Sequence, residues 1–201
     1  YYTPECIKET LRKAENAGIN TFFGRTDDYI LGIVEDYWNG GGKIQWFAQV
    51  CTEHNNDDAW RKWLKASAKL GACAAYIHGG VVDSWYANKL FDNFREALDM
   101  MREVNVAAGF AGHSPDAHKW ISDNLDVDFQ MCCYYNPSDR SRNPHHVGEG
   151  EKWDYEDREL MLDVIANIKK PVVQPTKHSR QAVKDFLLEA QVQEALVNAG
   201  H

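Results

Sequence analysis

The sequence predicts an α/β protein of the (β/α)8 TIM-type barrel class, and three observations carry that prediction. Short strand-like segments alternate with amphipathic helical segments along the chain, an order typical of a parallel sheet covered by helices. No Gly-x-Gly-x-x-Gly motif follows a strand, although open dinucleotide-binding sheets usually carry one. Several strands also have one apolar face and one small or polar face, which suits a barrel interior better than a sheet buried on both sides.

The periodicity predicts six strands, each followed or preceded by a helix. The helix at residues 3–17 begins at Pro4, a residue favoured in the first turn, and Gly18 ends it. The predicted strands cover residues 20–23, 43–51, 72–77, 106–111, 127–135 and 171–174. The other predicted helices cover residues 28–38, 57–70, 85–104, 155–168 and 180–198, and one more begins at Ser114-Pro115.

The face that each strand turns to the barrel interior follows from alternation along the strand. In residues 43–51 the interior set is expected to be Gln45, Phe47, Gln49 and Cys51. In residues 106–111 it is Ala107, Gly109 and Ala111, continued by His113. In residues 127–135 the polar parity of Gln130, Cys132 and Tyr134 is predicted to face the interior, and Phe129 and Met131 to face the helices.

A complete barrel of this class has eight strands and about 250 residues, whereas this chain shows six predicted strands in 201 residues. The chain starts on a helix and ends on a helix. We therefore expect residues 1–201 to form a single barrel domain that lacks its first and last strands.

Charge and composition narrow the classes of partner. The formal net charge of -8, with no basic run, argues against nucleic acid or an anionic membrane surface as a partner. No apolar stretch is as long as a membrane span. The five cysteines form no Cys-x-x-Cys pair and are odd in number, so we expect reduced thiols in a cytoplasmic protein rather than a disulfide framework. The oligomeric state is not predicted.

Polar side chains follow three neighbouring predicted strands at their C-terminal ends, where barrel enzymes carry their active sites. Glu53, His78 and His113 have strand parities that let them meet above one interior. One carboxylate and two imidazoles could bind Zn²⁺ or Mn²⁺. The same three groups could act as acid, base and electrophile without a metal, or be polar residues satisfied by their neighbours.

Other strand ends add residues that could contact a substrate. Arg25 and Tyr29 follow the first strand, and Tyr134 and Asn136 end the fifth. Gly79-Gly80 could bring backbone amides close to an anion or form a plain turn, and Trp85 is the predicted wall of a pocket. Positive charge follows the sixth strand, where a helix start could hold a phosphate or simply be solvated; its residues are Lys177, His178 and Arg180.

These segments resemble the aldo-keto reductase superfamily over about residues 3–168. The resemblance rests on the order AGINTFFGRTDDY, IQWFAQV, AAYIHGG, AGHSP and FQMCCYYNPSDR, and it is closest to an uncharacterised bacterial group related to those barrels. It implies a catalytic Tyr near Tyr29 and a catalytic His at His78. It also implies NADPH as cofactor, with nicotinamide contacts at Gln130 and Ser114 and further cofactor contacts at Lys177 and Arg180.

The chain departs from the family at the residues that lower the pKa of its catalytic Tyr. The family's Asp corresponds to Gly24 and its Lys to Gln49, and His113 stands where the family has Ser. A neutral Gln49 cannot lower the pKa of a tyrosine, whose ordinary value is near 10. The resemblance therefore implies the fold more firmly than carbonyl reduction.

The sequence thus predicts an enzyme that acts by acid–base or metal-assisted chemistry on a small polar substrate bearing a carbonyl or hydroxyl group, such as a sugar-like compound. His78 and His113 would be acid, base or metal ligands, and Glu53 the base or third ligand. Tyr29, Tyr134 and Asn136 would orient the substrate. Two alternatives stay open: an NADPH-dependent carbonyl oxidoreductase, and a barrel that binds a ligand without catalysis.

Overall fold

The computed structural model describes residues 2–136 and 154–173 of the 201-residue chain. All six predicted strands are present in it: β1 (Thr21–Arg25), β2 (Gln45–Val50), β3 (Ala74–Ile77), β4 (Ala107–Gly112), β5 (Phe129–Cys132) and β6 (Val172–Val173). The described helices are α1 (Pro4–Asn16), α2 (Asp28–Asn39), α3 (Ala59–Leu70), α4 (Gly79–Ala87), α5 (Phe91–Glu103), α6 (Pro115–Asn124) and α7 (Tyr155–Asn167). The predicted helix at 180–198 lies outside the described residues.

The strands form one parallel sheet in the consecutive order β1-β2-β3-β4-β5-β6. An open doubly wound sheet would reverse its strand order at a switch point, and no reversal occurs within the described strands. Helices connect successive strands, as parallel pairing requires. The sheet is therefore an arc of a (β/α) barrel, and the predicted fold class is confirmed. None of the described helices combines the length and apolar character needed to cross a membrane.

One predicted helix is wrong, because residues 85–104 belong to two helices rather than one. α4 starts earlier, at Gly79, and α5 starts at Phe91. Between them Lys89 adopts a left-handed conformation (φ 58°), which cannot continue a right-handed helix. The Asn88 side chain donates to the Ser84 carbonyl oxygen at 2.9 Å and helps to end α4. Gly79-Gly80 is thus the first turn of a helix.

The main core lies between the sheet and the helices. Trp46, Ala48 and Val50 of β2 alternate into this layer, where they meet aromatic residues of α3, α4 and α5. Trp85, predicted as a pocket wall, is 5% exposed and packs between Trp60 and Phe94 with ring centroids 5.5 and 5.4 Å away. Trp85 thus packs in the helix layer between α3 and α5, and it also lines a small cavity together with Thr52 and Leu90.

The opposite face of the sheet, the interior of the arc, is aromatic rather than polar. Phe47 and Tyr76 pack there against Phe129 of β5, with ring centroids 5.4 and 6.3 Å from it. The predicted orientation of β5 is therefore wrong. Phe129 and Met131 face the interior, and Gln130 faces the helix layer. Gln130 tolerates that layer because polar groups of α6 bind its side chain, as described below.

Two glycines have open space around them, so substitutions there report the effect of backbone conformation on stability without an effect of packing. A Cβ on Gly32, within α2, or on Gly41, in the following turn, would meet no atom within 4 Å, but only Gly41 has a positive φ (+87°). Gly32→Ala is expected to raise the free energy of unfolding by about 0.5–1 kcal/mol, because alanine favours helix. Gly41→Ala is expected to lower it by about 1 kcal/mol. Urea titrations of the two variants measure both changes, and equal signs would contradict this account.

Candidate active site

A histidine–aspartate pair lies at the C-terminal edge of the sheet. His113 directly follows β4, and Asp83 lies on the second turn of α4, the helix that follows β3. The Nδ1 atom of His113 is 2.7 Å from Asp83 Oδ2. The same carboxylate accepts the backbone N–H groups of His113 and Ser114 at Oδ1, both at 3.0 Å. Asp83 thus binds both the ring and the backbone of the residue that it orients.

The surroundings keep Asp83 ionised. Its side chain is 5% exposed, and burial by itself raises the pKa of a carboxyl group. The hydrogen bonds and charge of the His113 ring, together with the backbone N–H groups, outweigh burial and hold the pKa of Asp83 below its ordinary value. An ionised Asp83 accepts a hydrogen bond from the N–H at His113 Nδ1, so this ring nitrogen carries the hydrogen and Nε2 is the nitrogen available to a substrate.

Two glycines make the close approach of these groups feasible. A Cβ on Gly79 would lie 2.9 Å from Cε1 and 3.2 Å from Nδ1 of His113. A Cβ on Gly112 would lie 3.2 Å from Asp83 Oδ1. Any side chain at either position would displace the ring or the carboxylate. The close packing against His113 therefore explains why residue 79 is glycine, and neither an anion site nor a plain turn is needed to explain it.

His78 lies at the N-terminus of α4, the helix that carries Asp83, and its role in catalysis stays a prediction. It is the N-cap residue of α4, its side chain makes no capping hydrogen bond, and it is half-buried. Its backbone N–H donates to the Val50 carbonyl oxygen at 2.9 Å and so extends the pairing of β3 with β2. Beside it, the first turn of α4 presents amides that have no partner within the helix. These amides form the positive end of the α4 dipole beside the His113 ring.

Glu53 does not join the two histidines in a metal-binding group. It is exposed, and its carboxylate accepts the indole N–H of Trp63 at 3.0 Å. Across the described ranges 2–136 and 154–173, no three His, Cys, Asp or Glu residues are placed to hold one ion. The structure therefore does not bring Glu53, His78 and His113 together in the way that the predicted Zn²⁺ or Mn²⁺ site requires. The chain past β2 turns through a bridge between Glu53 and Asn56 and carries Glu53 toward α3.

Gln130 is bound inside the helix layer and has no access to a cofactor in the barrel interior. It is fully buried, its Oε1 is 2.7 Å from Nδ1 of His118 on α6, and its Nε2 donates to Ser122 Oγ at 2.7 Å. Ser114, the other predicted nicotinamide contact, is the N-cap of α6 and accepts the Ala117 N–H. Lys177 and Arg180 lie outside the described residues.

The three predicted orienting residues sit at the rim with other partners. Tyr29 is 46% exposed on α2, and its hydroxyl donates to the Tyr2 carbonyl oxygen. The ring of Tyr134 lies 5.8 Å from the Arg158 guanidinium carbon. The backbone N–H of Asn136 donates to Asp157 Oδ2 at 3.1 Å. Tyr134 and Asn136 thus tie the segment after β5 to the start of α7, and their contact with a substrate remains a prediction.

Below the pair, the interior holds few polar groups. Gln49 donates to the Tyr76 hydroxyl at 3.3 Å, and burial raises the pKa of Tyr76 well above its ordinary value. Burial also raises the pKa of Cys51 to about 11, although the nearby Arg25 lowers it. Neither group ionises near neutral pH. The described part of the interior is therefore mostly apolar below the His113–Asp83 pair.

Asp83 and His118 were missed by the sequence prediction, which searched only strand ends. A signal for Asp83 is present in the sequence. It is the single charged residue in GGVVDSWYA, which is otherwise apolar or small, and a lone carboxylate in a buried helix needs a partner. His118 has no comparable signal, because it lies on the amphipathic helix PDAHKWISDN among other polar residues.

Comparison with known proteins supports the fold and leaves the reaction open. No known protein family matches the sequence, and no curated protein is significantly similar to it. Among solved structures, a monomeric dihydrodipicolinate synthase variant matches with a TM-score of 0.57 and 12% identity over 87% of this chain. The structure described as QR15, an aldolase, matches with a TM-score of 0.57 and 14% identity over 85% of this chain and 73% of its own.

The chain spans 57% of the length of the dihydrodipicolinate synthase variant. At these identities the likeness concerns the fold alone, and both neighbours are barrels named for chemistry other than aldo-keto reduction. The barrel implied by the resemblance is thus confirmed, whereas membership of the aldo-keto reductase superfamily is not.

Proposed function

We propose that the protein is an enzyme that transfers a proton at a carbon or hydroxyl group next to a carbonyl in a small polar substrate. The observation that carries the proposal is the 2.7 Å contact of His113 Nδ1 with the buried Asp83 carboxylate at the C-terminal edge of a barrel sheet. Catalytic residues of barrel enzymes occupy this edge. A base oriented by a buried carboxylate is also a recurring arrangement in catalysis.

In the proposed reaction, His113 Nε2 accepts the proton from the substrate and the ring becomes an imidazolium. Asp83 stabilises this charge and keeps the ring in place, and it does not itself take the proton. The negative charge left on the substrate oxygen would lie near the first turn of α4, whose amides and dipole favour an anion. In an aldol-type cleavage the proton comes from the hydroxyl, the C–C bond to the carbon next to the carbonyl breaks, and His113 returns the proton to that carbon. In an isomerisation the proton comes from the carbon next to the carbonyl, and His113 returns it to the former carbonyl carbon while the hydroxyl proton moves to the former carbonyl oxygen.

The structural neighbours support this proposal only by analogy with the chemistry for which they are named. Aldol chemistry depends on the same proton transfers next to a carbonyl, and one neighbour is named an aldolase. A Schiff-base mechanism would need a lysine in the barrel interior. The described strands β1 to β6 contain no lysine, so the His113–Asp83 pair is the better-supported route for this part of the chain.

Solvent exchange tests the proposal without knowledge of the substrate. A panel of small hydroxyketones, 2-keto acids and aldose or ketose phosphates is incubated with the protein in D2O, and proton NMR follows loss of the signal next to the carbonyl. We expect deuterium to enter at least one compound, and His113→Asn to slow that exchange by about 10²–10⁴-fold, the usual contribution of a general base.

The control is Lys43→Ala, an exposed position just before β2 and therefore at the opposite end of the sheet. It should exchange at the wild-type rate. Equal exchange by the wild-type and His113→Asn proteins would reject His113 as the base. If no compound in the panel exchanged while ligands still bound, the non-catalytic barrel would become the better reading.

A further inference from the structure

A second histidine lies directly behind the proposed catalytic pair. His118 is fully buried on α6. Its Nδ1 is 2.7 Å from Gln130 Oε1, and the amide nitrogen of Gln130 donates to Ser122 Oγ. The structure places the amide nitrogen of Gln130 at Ser122 and its oxygen at the ring of His118. An oxygen acceptor at this distance assigns the hydrogen to Nδ1 of His118.

The other ring nitrogen of His118 borders the space over Gly112 that Asp83 also borders. Among the described residues, this buried Nε2 atom has no hydrogen-bond partner. A Cβ placed on Gly112 would lie 2.9 Å from His118 Nε2 and 3.2 Å from Asp83 Oδ1, so both atoms lie within 3.2 Å of one point. Residue 112 is glycine and contributes no side chain there. Protonation of His118 Nε2 would therefore change the donors and the charge around the Asp83 carboxylate.

A hydrogen on His118 Nε2 would bring a second donor, or in the imidazolium a positive charge, near the carboxylate that orients His113. Asp83 now accepts only from the ring of His113 and from the backbone of residues 113 and 114 among its hydrogen bonds described here. An unprotonated Nε2 cannot donate to it. Burial, the strongest influence, lowers the pKa of His118 and outweighs the charge of Asp83, which in turn raises that pKa. The net lowering agrees with a ring that stays neutral.

We propose that His118 and Gln130 are positioning residues for the pair: Gln130 holds His118 neutral with its proton on Nδ1, and the bare Nε2 leaves Asp83 to His113. The proposal rests on the function proposed above, since it assigns these residues a role in orienting the same base. It also explains why a buried glutamine, a neutral acceptor, stands where a carboxylate would draw a second proton onto His118.

Long-range 1H–15N NMR of the histidine rings tests this directly in the whole chain. In the wild-type protein we expect His113 and His118 each to carry the proton on Nδ1. In the Gln130→Glu variant we expect a doubly protonated His118, because an adjacent carboxylate favours the imidazolium. The ratio of the Nδ1-H to the Nε2-H form of His113 should then fall by about tenfold, as expected when a charge-assisted hydrogen bond is weakened by about 1.4 kcal/mol.

The matched control is Ile121→Val, a buried position on the same helix. It should lower the free energy of unfolding, as such core changes do, and leave both histidine tautomers unchanged. This control separates positioning from general loosening of α6. An unchanged His113 ratio beside a protonated His118 overturns the proposal. So does a wild-type His118 protonated on Nε2, or a His118 that stays neutral in Q130E.

Ser122→Ala keeps the proposal testable if Q130E does not fold. Loss of the hydroxyl frees the Gln130 amide to invert, so we expect mixed tautomers at His118 and a parallel change at His113. A wild-type spectrum from Ser122→Ala would overturn the proposal. These readings need no substrate. Failure of the proposed function in the exchange assay and failure of this inference in the spectra are therefore distinguishable.

Discussion

Replacing Asp83 by asparagine is expected to reduce the exchange rate by about 10³–10⁴-fold. The carboxamide can still accept the N–H groups of residues 113 and 114 through one atom. Its NH2 group would then face His113 Nδ1, where Asp83 Oδ2 now lies at 2.7 Å. A donor there forces the proton onto Nε2, and a protonated Nε2 is no base. A buried aspartate exchanged for asparagine behind a catalytic histidine typically costs this much.

The same variant makes a prediction about pH. The pKa of Asp83 is held below its ordinary value in the folded protein. Its contribution to stability is therefore complete above the unfolded value of about 4 and is lost as pH falls through the folded value. Asp83→Asn should lower the free energy of unfolding by about 2 kcal/mol at pH 7. The gap between the two proteins should narrow progressively below about pH 4.

Asp128→Asn is the matched control for both measurements. Asp128 also accepts a backbone N–H, that of Ala108 at 2.7 Å, and pairs with Arg102. It lies immediately before β5, at the end of the sheet away from His113. This control should cost stability and leave the exchange rate and the His113 tautomer unchanged. An Asp83→Asn protein that exchanged at more than a tenth of the wild-type rate would contradict the assigned role of Asp83.

The sheet could be predicted from sequence because strand and helix periods differ and each strand stands between helix signals. Element boundaries moved by a few residues only, apart from the helix broken at Lys89. The interior face of β5 could not be predicted, since FQMC has large apolar residues on one parity and a single amide on the other. A glutamine in a strand normally indicates the side of the sheet that faces solvent or a barrel interior. Here Gln130 faces the helices because His118 and Ser122, which lie on the preceding helix α6, form hydrogen bonds with it.

Only part of the candidate site could be predicted from sequence, because strand-end reasoning does not detect a functional residue that lies on a helix. The rule that barrel sites occupy strand ends located His113 correctly at the mouth, and it also selected Glu53, whose carboxylate the structure commits to Trp63. This rule does not consider residues that lie on helices. Asp83 lies six residues past the end of β3, and only the fold of α4 over the sheet brings it to His113. Strand-end reasoning thus finds the group that meets a substrate more readily than the group that orients it.

The packing of the interior face makes its own strong prediction, at Gly109 of β4. A Cβ there would lie 2.3 Å from Cζ of Phe129 and 2.5 Å from Cε2. The ring cannot withdraw easily, because Phe47 and Tyr76 pack against it. Gly109→Ala is expected to lower the free energy of unfolding by about 3 kcal/mol, the upper range for overpacking. That loss is a large share of the stability of an ordinary domain, and urea unfolding followed by tryptophan fluorescence measures it.

Removing the ring tests whether this collision is the cause. Phe129→Leu alone should cost about 1–2 kcal/mol, because it opens space in the interior. In the Gly109→Ala/Phe129→Leu double variant the new methyl group occupies part of that space. The two losses should then fall short of additivity by about 1–3 kcal/mol, as coupled neighbours do. Strict additivity would mean that Phe129 does not lie over Gly109. The orientation of β5 would then have to be reversed, with Gln130 facing the barrel interior.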